Sequence, residues 1–359
     1  MKSILKILLI LIILGLGAYL YLTIQWGPYG KGGVVYLPKG SSVSKIAQNL
    51  TKAGVIRNPW SFKLLVRLEG VEKELQAGEY EFPPELSTRA VIAKIRRGER
   101  RTYKLIIPEG YNYSQIAQRI AKTGLATEAE VLAAFQDPKY LSLLDFPTPS
   151  LEGYVFPSTY VYDRGTTLDA LLKQMIRNYK KSLGPDLIQR AQQAGWTLPQ
   201  LTTLASIIEK ETGQASERPL IASVFHNRLK IGMPLQSDPT IIYGLKNFDG
   251  NIRKKDIKEP HLYNTYVHVG LPPGPIASPG KESLRAVMYP AESDYLFFVS
   301  KGDGTHQFSK TLAEHNEAVR NFQLGKRSQK GSQKPSPESS QEKPKSSANR
   351  PIMKPIPNQ

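Results

Sequence analysis

The hydrophobic positions divide the chain into stretches of different period. From Ile7 to Ile24 the residues are apolar and uncharged, a run long enough to cross a bilayer as one helix. Ala77 to Phe82 alternates as a strand does, and Val91 to Ile95 reads as a helix. A helical pattern runs on to Phe135 and breaks at Asp137 and Pro138; a longer one spans about Thr167 to Lys181. Leu201, Leu204, Ala205 and Ile208 then recur at helical spacing, predicting a helix from about Pro199 with one apolar face and Gly213 as its stop. Ser216 reads as the start of the next helix, to about Lys230, with Pro219 in its first turn. Tyr295 to Val299 predicts a buried strand, and Thr311 to Phe322 a last helix.

One pattern occurs twice at a constant offset of 70. Pro38 matches Pro108, Gly40 matches Gly110, Ser44 matches Ser114, and Ile46, Ala47 and Gln48 match Ile116, Ala117 and Gln118. Each copy predicts a strand, a Pro-x-Gly turn and a short amphipathic helix ended by Gly54 or Gly124. Two copies are too few for a solenoid, so they predict two related α/β units. The turn followed by Ser-x-Ile-Ala resembles the LysM module, which implies binding to glycans that contain N-acetylglucosamine. A plain packing unit of strand and helix accounts for the pattern equally well.

Composition narrows the setting. The 359 residues carry a net charge of +17 and no cysteine, so disulfides, thiolate nucleophiles and cysteine-held metals are excluded. Such a charge suits nucleic acid, an anionic membrane surface or an acidic polymer. The apolar run decides among these. Lys2 and Lys6 precede it, which puts the N-terminus in the cytoplasm and the rest outside the inner membrane. Nucleic acid is thereby set aside as a partner. A cleaved signal peptide is the alternative, but no small-x-small cleavage site stands out. Gly27 to Gly33 reads as a linker. From about Lys326 the chain is Lys, Ser, Pro and Gln with almost no bulky apolar residue, and is expected to be disordered.

The usual catalysts are missing from the sequence. His226, His261, His268, His306 and His315 lack metal-ligand spacing, and no nucleophile elbow, phosphate-binding loop or dinucleotide fingerprint occurs. No metal and no cofactor is expected. Carboxylates near aromatic and amide residues remain, the set used to protonate a leaving glycosidic oxygen. Glu209 and Glu211 end the predicted helix, where burial and the negative helix terminus both favour the protonated acid. They lie roughly 200° apart around the helix and cannot act together. Glu211 borders the apolar face and Glu209 the other flank, so spacing leaves both open, along with the reading that both are surface charges.

A long ordered series of motifs is more specific. It comprises Ala205 to Thr212, Ser216 to Arg218, Asn227 to Leu229, Gln236 with Asp238 to Thr240, Ile242 to Gly244, Tyr263 to Tyr266 and Gly270 to Gly274. Leu151 to Tyr154, Phe156 and Pro157 precede them. Together with the N-terminal anchor, the series resembles the YceG/MltG family of endolytic murein transglycosylases over about residues 1–325. The resemblance implies an α+β protein: a cytoplasmic N-terminus (1–6), a transmembrane anchor (7–26), a LysM-like module (33–103) and a catalytic domain (104–325), with the basic tail (326–359) outside it. It implies cleavage of nascent peptidoglycan between N-acetylmuramic acid and N-acetylglucosamine, leaving 1,6-anhydro ends and ending strand elongation. Glu211 is implied as the catalytic acid and base. Glu217, Asn227, Gln236, Asp238, Tyr263 and Asn264 are candidates for substrate contact or support. The implied partners are glycan strands and the inner membrane, with peptidoglycan synthases as further candidates. A hydrolytic muramidase, with Glu217 or Asp238 as second acid, and a non-catalytic glycan-binding scaffold are the alternatives.

Overall fold

A computed structural model describes residues 2–324; the basic tail expected to be disordered lies outside the described residues. The apolar run forms helix α1 (Lys2–Trp26), and its segment Lys6–Trp26 has a mean hydropathy of 2.6 with none of its most apolar stretch buried. By length and composition it is able to cross a membrane. Its last turn is docked: the Trp26 indole donates to the Ser61 carbonyl at 2.9 Å, and Thr88 donates to the Gln25 carbonyl at 3.3 Å. The expected linker is also held in place. The Tyr29 amide donates to Leu86, Glu85 donates to Gly30, and the Arg57 guanidinium lies over the Tyr29 ring.

The first copy of the repeat comprises β1 (Gly33–Leu37), α2 (Val43–Lys52), α3 (Pro59–Glu69), a 3-10 turn (Glu72–Glu74) and β2 (Gly78–Phe82), followed by α4 (Thr88–Arg96). Strands β1 and β2 pair antiparallel, from Gly33 opposite Phe82 to Leu37 opposite Gly78. In β1, Val35 and Leu37 point into the core while Val34 and Tyr36 face out, the period of two that the pleat imposes. Leu37, Leu50, Phe62 and Tyr80 are fully enclosed, each contributing about 1.5–3 kcal/mol by burial.

The second copy repeats the strand, turn and first helix of this plan at the same offset, and its closing strand comes later than that offset. It runs β3 (Tyr103–Ile107), α5 (Tyr113–Ala121), α6 (Glu128–Ala134), α7 (Pro138–Leu141) and β4 (Ser158–Tyr162). Tyr103 pairs with Tyr162, and Leu105 and Ile107 take the buried positions of Val35 and Leu37. Ser42 caps α2 in one copy and Asn112 caps α5 in the other. Gly40 (φ +78°) and Gly110 (φ +74°) make the same left-handed turn, which explains the glycine in each. The two turns differ in surroundings. Gly40 is exposed, whereas Gly110 is buried and donates to the Ser278 carbonyl at 2.9 Å.

The helical part is built around one buried helix. It comprises α8 (Leu168–Gln193), α9 (Leu198–Glu211), a 3-10 turn (Ala215–Glu217), α10 (Arg218–Lys230), α11 (Asp238–Gly244), α12 (Lys254–Ile257) and α13 (Lys281–Met288). Helix α8 is broken by Gly184 (φ +62°, ψ +161°) before Pro185. Helix α9 packs against α8, α10, α11 and α13. Every residue from Leu201 to Ile208 is buried, so α9 has no polar face there and the one-sided helix expected from periodicity is corrected. It ends at Glu211, with Thr212 extended, two residues before the expected stop at Gly213. Next, a 3-10 turn at Ala215–Glu217 replaces the expected helix start at Ser216.

Residues from Phe297 onward form a second compact unit, described by itself. Strands β5 (Phe297–Ser300) and β6 (His306–Ser309) form a hairpin with α14 (Leu312–Val319) and a π-helical turn (Arg320–Leu324). In β5 only Val299 is buried, so the fully buried strand expected at Tyr295–Val299 is shorter and half-exposed.

Asn112 completes a capping box with Gln115, closing two otherwise unpaired donors at the start of α5. Asn112→Ala should cost about 1 kcal/mol, read as a lowered midpoint in thermal unfolding. An unchanged midpoint would show that α5 does not rely on this cap.

Candidate active site

The C-terminal turn of α9 presents Glu209 and Glu211 in opposite directions. Glu209 is fully engaged. Its Oε1 accepts from Arg218 Nη2 at 3.0 Å, and its Oε2 accepts from the Gly280 amide at 3.0 Å and from Ser283 Oγ at 2.7 Å. Both members of this ion pair are almost completely buried. Arg218 stands at the first position of α10, and Gly280 and Ser283 at the start of α13. One carboxylate thus ties three helix ends together.

Glu211 points toward α11. Its carboxylate accepts a hydrogen bond from Ser237 Oγ, the residue just before α11. Burial pushes its pKa up to about 7; the Asp238 charge adds to the rise, while the Ser237 bond and the Arg228 charge oppose it. Desolvation wins because a carboxylate loses more by leaving water than one hydroxyl and one buried cation return. Arg228 is itself fixed by the carbonyls of Leu296 and Leu235, each 2.7 Å from its guanidinium.

The segment before α11 is strained. Gln236 has φ +50°, rare for a residue with a side chain, while its amide donates to the Thr265 carbonyl at 3.0 Å. Such strain persists only where surrounding contacts hold it, and it is common at functional sites. Here the Ser237 amide donates to Thr265 Oγ1, and Thr265 meets Thr240 Oγ1 at 2.8 Å. Those contacts aim the Ser237 hydroxyl at Glu211. The Gln236 side chain is exposed, and Asp238 is exposed at the start of α11, accepting from Tyr266 Oη at 2.7 Å.

The sequence candidates therefore separate. Glu211, Gln236 and Asp238 gather around one point. Asn264 is fully buried, and its amide donates to the carbonyls of Asp256, Ile257 and Glu259. Asn227 donates to the carbonyls of Ser293 and Tyr295. Both amides are committed to holding backbone. Glu217 is half-buried at the start of α10 and makes no capping bond there. The Tyr263 ring lies 4.7 Å from that of Tyr243.

Tyr243 leads to a group that spacing did not reveal. Glu152 is buried in the segment joining α7 to β4. Its carboxyl accepts from the Tyr113 amide at 3.0 Å and from Tyr243 Oη at 3.2 Å. No cation pairs with it among the described residues, and desolvation raises its pKa to about 8 despite these bonds. Its sequence signal was a single acid within an aromatic and apolar run. Ser237, Tyr243, Tyr266 and Arg228 carried no signal of their own beyond standing inside the motif series. Among the described residues, no group of His, Asp and Glu could hold a metal ion.

The site is thus one desolvated carboxyl at the end of a buried helix, ringed by hydroxyl, amide and phenol groups, with no metal-binding cluster among the described residues. That is the general form of a carboxylate acid–base site. Residues 35–321 match the model of the YceG-like family, and the chain belongs to that family. It is 35% identical over 311 residues to the endolytic murein transglycosylase of Bacillus subtilis, covering 80% of this chain and 84% of that protein. It is 32% identical to the endolytic murein transglycosylase of Streptococcus pneumoniae serotype 2, covering 79% of this chain and 57% of that longer protein. A crystal structure of a YceG-like protein from Listeria monocytogenes matches with a TM-score of 0.56 at 35% identity, over 80% of this chain and 98% of that one.

The raised pKa of Glu152 gives a signed prediction. The folded state keeps a proton that the unfolded chain releases above its ordinary pKa of about 4.5. The contribution of Glu152 to stability therefore falls as pH rises from about 4.5 to about 8. Glu152→Gln carries no such proton, so its midpoint relative to wild type should rise across that window in thermal unfolding. A difference that stays constant with pH would show that Glu152 does not titrate in this way.

Proposed function

We propose that the chain is a membrane-anchored lytic transglycosylase acting on peptidoglycan, with Glu211 as its acid and base. The observation that carries this is the desolvated Glu211 carboxyl, oriented by Ser237 beside the exposed Gln236 and Asp238. The names of the relatives support the substrate and the reaction class.

On this reading Glu211 begins protonated. It donates its proton to the glycosidic oxygen between N-acetylmuramic acid and N-acetylglucosamine, and the bond from that oxygen to the muramyl C1 breaks. The resulting carboxylate takes the proton of the muramyl C6 hydroxyl as that oxygen bonds to C1. A 1,6-anhydro ring closes, the proton inventory returns to its start, and no water is consumed. The cut falls within the strand and ends its elongation. Helix α1 anchors the chain in the cytoplasmic membrane with residues 1–6 inside and the site outside. Strand synthases, which supply the substrate, are the expected neighbours. Residues 33–103, which hold the first repeat copy, serve as a LysM-like glycan-binding module, and the catalytic domain follows over residues 104–325.

Asp238 supports a second reading. It is an exposed carboxylate felt by Glu211, which a hydrolase would use to position water.

Glu211→Gln should fold and lower cleavage at least about 10²-fold, measured with the full chain on peptidoglycan; retained cleavage would refute the assignment. Mass spectrometry of wild-type products should show anhydromuramic ends, and reducing muramic ends would favour the hydrolase. The acid form is lost above pH 7, so kcat/KM should decline above about 7. Asp238→Asn removes a nearby negative charge, lowers the Glu211 pKa and should move that limb to lower pH. A loss of activity at every pH, with the limb of the residual activity unmoved, would point to Asp238 as a base for water.

A further inference from the structure

A cavity of about 450 Å³ lies where α8 breaks, between that break and α13. Lys181 from α8 and Lys281 and Arg285 from α13 line it, against a single carboxylate, Asp186. Among the described residues none of the three cations is in an ion pair; Arg285 instead lies over the Tyr289 ring, 4.3 Å from its centroid. Gly184, with non-helical backbone angles, and Pro185, which has no amide hydrogen to donate, kink α8 at this wall. The remaining lining is mixed: Phe156, Leu187 and Tyr289 offer apolar surface, and Ser158 and Ser182 offer hydroxyls.

We propose that this cavity binds a short acidic peptide through its carboxylates, namely the peptide stem carried by the glycan strand. Unpaired cations above an apolar and hydroxyl floor suit a peptide better than a bare anion. The cations meet carboxylates, the hydroxyls meet amides, and the floor accepts side-chain methyl groups. A volume of 450 Å³ suits a few residues and is far larger than one phosphate needs. Helix α13 links this cavity to the site. Lys281 and Arg285 stand one turn apart on its exposed face, while Gly280 and Ser283 at its start hold Glu209 in the last turn of α9. One short helix therefore borders both the peptide and the end of the helix that carries Glu211. The choice of stem as the peptide rests on the peptidoglycan reading; the acidic-peptide chemistry rests on the cavity itself.

The test uses the full chain in detergent, by isothermal titration with a synthetic stem tetrapeptide bearing free carboxylates. Its fully amidated counterpart and inorganic phosphate serve as comparison ligands. The free-carboxylate peptide should bind at least about tenfold more tightly than the amidated one, a difference of about 1.4 kcal/mol. Lys281→Gln with Arg285→Gln should lose a similar factor. Lys281→Arg with Arg285→Lys keeps both charges and should bind as wild type, which separates charge from misfolding. Equal binding of the amidated peptide, unaltered binding by the Gln pair, or displacement by an equal concentration of phosphate would each overturn the proposal. Glu211→Gln leaves the cavity intact and should bind the peptide as wild type does. Peptide binding without any cleavage by the wild-type chain would therefore reject the transglycosylase reading and leave the cavity assignment standing. Cleavage without peptide binding would do the reverse.

Discussion

The buried ion pair of Glu209 and Arg218 decides what the rest of the helical part can do. Two charges taken out of water are tolerated only with good geometry and further hydrogen bonds, and here the Gly280 amide and Ser283 hydroxyl complete the set. Removing one partner of such a pair costs about 3–5 kcal/mol, a large part of the 5–15 kcal/mol that holds a typical domain. Glu209 is therefore unavailable for proton transfer. By fixing the starts of α10 and α13 against the end of α9, it also fixes the direction in which Glu211 leaves that helix. Of two acids two residues apart, one makes the frame of the candidate site and the other is the one to which the proposed chemistry is assigned.

The second repeat copy is drawn into the same frame. Its turn at Gly110 and Tyr111 exchanges backbone hydrogen bonds with Ser278, 2.9 Å and 2.8 Å long. The Lys210 ammonium reaches the Gly110 carbonyl, and Glu109 stands 3.5 Å from Arg218. The loop that feeds α13 is thus held from both sides, by α9 and by the turn. The first copy has the same backbone at its turn, which is exposed, and its core instead receives Trp26 at the end of α1. The same strand–turn–helix unit thus stands in two different surroundings, with its turn exposed in one copy and packed into the frame in the other.

These features were unequally legible in the sequence. The repeat was readable to the residue because strand period, turn glycine and helix cap are local, and all three recur at offset 70. The motifs named Glu211, Gln236 and Asp238 among seven candidates, and the structure brings these three together. Periodicity did not separate Glu209 from Glu211. That argument assumes a helix with a wet face, and α9 is buried on every side from Leu201 to Ile208. Partners across long sequence gaps were invisible. Glu209 meets Ser283 across 74 residues, and Glu152 meets Tyr243 across 91. Asn227 and Asn264 stood beside site residues in the motifs, yet amides that hold buried carbonyls look in sequence like amides that hold a ligand.

The balance around Glu211 shows why one carboxyl is enough for the proposed reaction. A group that gives a proton and then takes one back works best when neither form is strongly favoured, which places its pKa near the ambient pH. Burial alone would carry the pKa too high and leave a poor base. The Ser237 hydroxyl and the Arg228 charge pull it down, and the Asp238 charge pushes it back up. All three come from the segment after α9, and Ser237 and Asp238 flank the same peptide bond next to strained Gln236. The left-handed Gln236 backbone, held by Thr265, aims the hydroxyl that steadies the carboxylate and places the charge that steadies the acid. Relaxing that one residue would disturb both, which gives a physical reason for a side chain to be held at an unfavourable φ beside the Glu211 carboxyl.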